Sequence, residues 1–189
     1  SDVCSSDLLS LGLQSRRTVE EVQKNLKKIN EYGFNDGVDG LTRMVQKSTE
    51  FRMGMESVFT VADNVFNPES ALELSANLQV LGGAIGDFND PLKLMYMATN
   101  DVGGLQDALI EASKSLATYN KEQGRFEITG VNLRRAKQMA DDLGISMEEL
   151  SKGAIASAER TSAATELMST GVMMSEDDRE FLTNIARIG

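Results

Sequence analysis

Carboxylates, serines and lysines are the only side chains here plentiful enough to organise chemistry. The chain carries 29 Asp and Glu, no histidine and one cysteine, Cys4. Without histidine there is no Ser-His-Asp or Cys-His relay, no imidazole base and no His-ligated zinc. One cysteine cannot close an intrachain disulfide or build a thiolate cage. Carboxylate pairs, serine–lysine pairs and oxygen-ligated metals remain to be weighed.

None of these carries the residues its chemistry needs. Glu69 and Glu73 lie one helical turn apart, and paired carboxylates about 5–9.5 Å apart can cleave a glycosidic bond. Glu69, however, follows Asn67-Pro68 and falls in a helix first turn, where a carboxylate favours the helix dipole. "ASKSLA" sets Ser113 and Ser115 beside Lys114 on a helix whose apolar face lies elsewhere. "FNDGVDG" and "GDFNDP" gather oxygen donors, yet Asp87, Asn89 and Asp90 lack the glycine and distal bidentate Glu of a calcium loop. Asp90 reads better as a helix cap. "LGGAIGD" follows a helix rather than a strand and lacks the Lys-Ser/Thr of a phosphate loop. The expectation is therefore a non-catalytic protein with no cofactor and no metal.

Charge narrows the partners. Net charge is -10 over 189 residues. A surface of that sign repels phosphate backbones, so no direct nucleic-acid binding is expected. The charge is uneven: Leu9 to Arg52 holds eight Lys/Arg against six Asp/Glu, and Met53 onward eleven against twenty-one. The ordinary reading is a solvated helix face with lysines; head-to-tail self-association is the sharper one. No apolar run approaches the ~20 residues of a membrane helix.

Periodicity predicts a mainly α, multi-helix array with long antiparallel helices. Only Pro68 and Pro91 interrupt the chain. Thr18 and Glu21 form a capping box before Val19, Val22, Leu26 and Ile29. "GFNDGVDG" then reads as a turn. Leu41, Met44, Ser48, Phe51, Met55, Val58, Ala62 and Val65 repeat at alternating three and four, a heptad seam that suits a coiled coil or a buried helix equally. Asn67-Pro68 starts a helix with Ala71, Leu74, Leu78 and Leu81 inward, and Gly82-Gly83 ends it. Asp90-Pro91 starts the next. Val102, Leu105, Leu109, Ala112 and Leu116 fall in register on the one after it, and Gly103 and Gly104 mark a break or kink between the two.

"ATYNKEQGRFEIT" changes period and predicts one small β-hairpin near residues 117–128. It should lie on a helix or pair with another chain. Leu133, Ala136, Ala140 and Leu143 line the following helix, with Gly144 as its stop. Ser146 and Glu149 open another through a capping box. Ser175 opens a last one, with Phe181, Leu182, Ile185 and Ile188 inward. Met53/Met55 and Met95/Met97 are i, i+2 pairs, which one narrow helix face cannot hold together. From this, Leu41, Met44, Phe51, Met55, Val58, Met95 and Met97 form a candidate interaction surface, and a homo-oligomer is expected.

From "ESVFTVADNVF" to "EELSKGA", covering most of residues 50 to 160, the chain resembles the tail tape measure proteins of tailed bacteriophages and prophages. "SANLQVLGG", and the "NKEQGRFEI" hairpin leading into "RRAKQMADDLGISMEEL", carry the likeness. What the resemblance implies is a structural part of the virion, concerned with tail length and assembly. Its partners would be tail tube protein, tail assembly chaperones and further copies of itself. It would sit in the host cytoplasm during assembly and in the tail tube lumen afterwards. Fully helical, 189 residues at ~1.5 Å each reach only about 280 Å, so a fragment of a longer protein is expected. An unrelated helical scaffold, or a glycan-cleaving region of a phage tail protein, are the alternatives.

Three regions are expected. Residues 1–8, "SDVCSSDL", join no helix pattern, and a nucleotide string that encodes them resembles the end of a sequencing-library adapter. They are read as a non-native leader, which leaves Cys4 no role. Residues 9–66 are expected as a long helical hairpin, and 67–189 as a compact helical region containing the β-hairpin.

Overall fold

The computed structural model describes residues 16–82 and 85–169. The leader at 1–8 and the helix expected from Ser175 lie outside them. The first helix, α1, covers 16–25. Then follow α2 (Lys28–Glu31), α3 (Gly37–Glu50), α4 (Met55–Val65), α5 (Pro68–Leu81) and a 3-10 turn over Gly86–Asn89. After it come α6 (Pro91–Asn100), α7 (Val102–Lys114), β1 (Thr118–Asn120), β2 (Arg125–Glu127), α8 (Gly130–Leu143) and α9 (Met147–Ser169). Among the described residues the protein is mainly α with one small antiparallel hairpin, as the periodicity predicts.

Helix α7 lies at the centre and packs against α3, α4, α6 and α9. Its stripe of Val102, Leu105 and Leu109 is fully buried, and Ala112 and Leu116 nearly so. One apolar core runs from Leu41 in α3 to Ala154 in α9. It draws on both sides of the division expected near residue 66.

Several helix ends follow the side chains that the sequence places there. Asn67 accepts the Glu69 N–H at 2.9 Å ahead of Pro68. Asp90 accepts from the Leu92 and Lys93 amides at 3.1 and 3.3 Å. Gly144 ends α8 with φ 74°, and Ile145 N–H reaches back to the Ala140 carbonyl, the backbone pattern that glycine makes cheap. In the hairpin Tyr119 pairs with Phe126, and the Asn120 side chain accepts from the amides of Glu122 and Gln123 in the turn. The hairpin does not stand alone: β2 packs on α9.

Other expectations need correction. The seam helix over 41–65 is two helices. Phe51 and Arg52 form a turn, Arg52 has φ 54°, and Gly54 is extended. The Ser48 hydroxyl and carbonyl bond to the Met53 backbone across the break. Helix α9 comes close here: a Cβ on Gly153 would collide with the Met53 side chain. A continuous heptad pattern carries no signal for such a break, because both halves keep one inward face.

The helix expected to start at Thr18 is already formed at residue 16, and it breaks into a turn at 26–27. Val19 and Leu26 are exposed, while Val22 and Ile29 touch the core. Helix α3 starts at Gly37, inside the stretch read as a turn. The break before α7 lies at Asp101, not at Gly103 and Gly104, which occupy the first turn; Asp101 caps the Gly104 amide at 3.0 Å. Leu133 is exposed, and Met139 takes the inward place instead. Glu149 does not complete its capping box. Ser146 still accepts from the Glu149 amide at 3.1 Å, but the Glu149 carboxylate accepts from the Ser57 hydroxyl of α4.

Candidate functional site

The structure does not bring the seven candidate surface residues to a surface. Leu41 and Val58 are fully buried, and Met44, Met55 and Met97 nearly so. Phe51 and Met95 are half-buried. Phe51 stacks under the Arg160 guanidinium at 5.4 Å, and Arg160 also pairs with Glu50. The Met53/Met55 pair does not sit on one helix. Met53 lies in the break between α3 and α4, not on a helix, so Met53 and Met55 both point inward. The seam is core: most of its residues pack within the chain.

The residues weighed for chemistry are engaged or isolated. Asp87 pairs with Lys93 at 2.6 Å, a contact that holds the lysine above its ordinary range. Asp36 pairs with Arg43 at 2.6 Å. Glu148 lies below the usual carboxylate range because Lys152 bonds it at 2.6 Å. Glu69 and Glu73 are both exposed on α5 and line neither of the cavities below. Among the described residues no group of three or more His, Cys, Asp or Glu is placed to hold a metal. Among them, no helix is long and apolar enough to cross a membrane.

An aromatic cluster ties the amino-terminal segment down. Tyr32 stacks on Phe59 of α4 at 4.6 Å, and Lys28 lies 5.3 Å over the Phe59 ring. The Tyr32 hydroxyl donates to Asp63 at 2.8 Å. Burial, then the Asp63 carboxylate, push the phenol well above its usual range. Next in the chain, Gly33 has its carbonyl on the Val102 amide at 2.9 Å, and a Cβ there would collide with the Thr99 carbonyl.

Among the described residues, two of the cavities carry polar groups. The first, about 180 Å³, lies between α3 and the start of α7. Its cations are already paired, Arg43 with Asp36 and Lys47 with Asp107. Gln106 donates to the Met44 carbonyl at 3.0 Å behind it, leaving its own side-chain oxygen buried and unpartnered. The second, about 100 Å³, lies between α5, α7 and α8. Leu78, Leu81, Ile85, Leu116 and Met139 make it apolar, and the Arg135 guanidinium stands on its wall.

Cation pairing separates this second site from the rest of the body. Arg43, Lys47, Lys93, Lys114, Lys152 and Arg160 each hold a carboxylate. No described residue bonds the side chains of Lys121, Arg125, Arg134, Arg135 or Lys137. The same holds for Arg52 and for Arg16, Arg17, Lys24 and Lys27 near the amino-terminal end; of these ten cations, Arg135 is the one that lines either cavity described above. Sequence reasoning did not single out Arg135. A signal was there: none of the residues three or four places from Arg134 or Arg135 is acidic, so neither has a partner along its own helix.

Comparison of the chain with protein-family models, with curated proteins and with solved structures finds no match.

Proposed function

We propose that the chain is a structural, non-catalytic part of a phage tail tape measure protein, concerned with tail length and tail assembly. The observation that carries this reading is the stretch from "NKEQGRFEI" through "RRAKQMADDLGISMEEL", which resembles that family. In the fold it is β1–β2, α8 and the start of α9. The mainly helical architecture supports the reading at the level of fold class. The compact core from Leu41 to Ala154 gives it a particular form. This region is a folded body within a longer protein rather than a length of rod. On this reading its partners are tail tube protein, assembly chaperones and further copies, in the host cytoplasm and then in the tube lumen.

The test is genetic and structural. In a phage that carries the gene, in-frame deletion of residues 33–169 shortens the tail or blocks its assembly, as measured by negative-stain electron microscopy. Full-length tails in normal yield overturn the reading.

A second reading, a helical interaction module outside any tail, is favoured by one observation: Arg135, which no described residue bonds, stands on the wall of an apolar cavity. Genomic neighbours separate the two, because tube, baseplate and portal genes accompany only the first. The glycan-cleaving alternative has less support, since Glu69 and Glu73 stand exposed and line neither cavity.

A further inference from the structure

The cavity between α5, α7 and α8 joins two features at one residue. Its walls, Leu78, Leu81, Ile85, Leu116 and Met139, enclose about 100 Å³, the scale of one large apolar side chain. Arg135, on the same wall, is half-buried, and no described residue bonds its side chain. A guanidinium partly withdrawn from water without a carboxylate or carbonyl is an unfavourable arrangement by itself. It becomes favourable once an anion arrives from outside, because arginine presents a planar pair of donors that matches a carboxylate.

The surface outward from Arg135 continues both features. Val131 and Arg134 are its neighbours on α8, at i−4 and i−1, and Val131 is 68% exposed. Cavity, guanidinium, valine and second guanidinium therefore follow one another across the helix. Residues 121–137 hold five cations and two anions, in a chain whose net charge is -10.

We propose that this face docks an acidic, amphipathic segment of a partner protein. One apolar side chain of that segment enters the cavity, and a neighbouring carboxylate takes Arg135 in two parallel hydrogen bonds. A further acid meets Arg134, and Val131 covers the apolar edge. This is the groove mode of peptide recognition, in which apolar anchors supply affinity and flanking charges supply register. A protein suits the face better than a nucleic acid does. No aromatic ring lines the cavity to stack a base. Tyr119 and Phe126 of the hairpin pack edge-to-face on each other at 5.2 Å. The rest of the acidic chain repels a phosphate backbone. The inference stands whether or not the protein belongs to a phage tail.

The experiment uses the full chain and a short fluorescent peptide rich in Glu and Asp around a central Phe, followed by anisotropy. Saturable binding is expected. Arg135→Glu weakens it by about tenfold or more, and Arg135→Lys falls between, since lysine keeps the charge but loses the paired geometry. Replacing the peptide's Phe by Ala weakens binding to a similar degree, and raising salt to 0.5 M weakens it further. Circular dichroism of each variant confirms an intact fold. Absence of binding overturns the proposal. So does equal binding by Arg135→Glu, equal binding of the Ala peptide, or tighter binding of an oligothymidylate than of the peptide.

Discussion

Helices α7 and α8 have the same basic design, an amphipathic stripe on a helix of similar length, and their surroundings use it differently. Of α7, Val102, Leu105 and Leu109 are fully buried, and the lysine in its last turn, Lys114, is paired with Glu111 at 3.0 Å. Of α8, Ala136, Met139, Ala140 and Leu143 are buried, but Val131 and Leu133 stand out in solvent, and no described residue pairs with Arg134, Arg135 or Lys137. The difference comes from neighbours. Helices lie on several sides of α7, whereas α8 meets α4, α5 and α9 along one side. A central helix is covered by its neighbours; a flanking helix leaves part of its surface in solvent.

The largest test of this contrast is a pair of equal truncations. Leu109→Ala should destabilise the protein by about 2–5 kcal/mol, because it empties a closed site. Leu133→Ala should stay within about 0.5 kcal/mol, because the leucine is already 46% exposed. Urea unfolding of both variants measures the difference. Similar midpoints would show that α8 is packed as tightly as α7 and would dissolve the comparison.

The next effect lies where the amino-terminal segment joins the body. Gly33→Ala should cost about 1–3 kcal/mol, since the added methyl meets the α6 backbone rather than a side chain able to turn away. If thermal denaturation shows no change, residues 32–34 do not press on the α6–α7 junction, and the tightly packed region excludes them.

The smallest effect is a pH dependence. The folded state raises the Tyr32 phenol above its unfolded value of about 10. Its contribution is therefore fully present below about pH 10 and is lost as pH rises, because the unfolded chain ionises first. Between pH 9 and 11 the protein should lose more stability than Tyr32→Phe does. Parallel loss in the two would mean that burial and the Asp63 contact do not hold the phenol above its unfolded value.

Much of the fold could be read from residue types. The caps at Asn67 and Asp90, the stop at Gly144 and the hairpin over 118–127 all follow from local chemistry in which a side chain satisfies backbone groups within a few residues. The inward stripes of α5 and α7 were equally legible. Three kinds of error share a cause. The break at Phe51–Gly54 left the apolar repeat intact, so periodicity could not reveal it. Leu133 was assigned inward because its spacing is right, while its exposure depends on which elements reach α8. Glu149 was assigned to its own helix end, and Ser57, 92 residues earlier, takes its carboxylate instead. The candidate site fared worst. A buried seam and an exposed one have the same sequence pattern, and so the seven residues chosen as a surface turned out to be core or its margin.

What the sequence determined alone is local: which segments are helical, where several of them start and stop, where the one hairpin turns, and that imidazole and thiolate chemistry are largely excluded. Each of these depends on contacts within a turn or two of chain. The tertiary structure decided which apolar stripe is covered, which cations find carboxylates, and that a cavity opens beside Arg135. Those outcomes depend on residues far apart in the chain being brought together. Arg135 shows the division well. Its lack of an acidic neighbour along the helix is written in the sequence. That it also faces an apolar cavity walled by α5 and α7 exists only once the helices have packed.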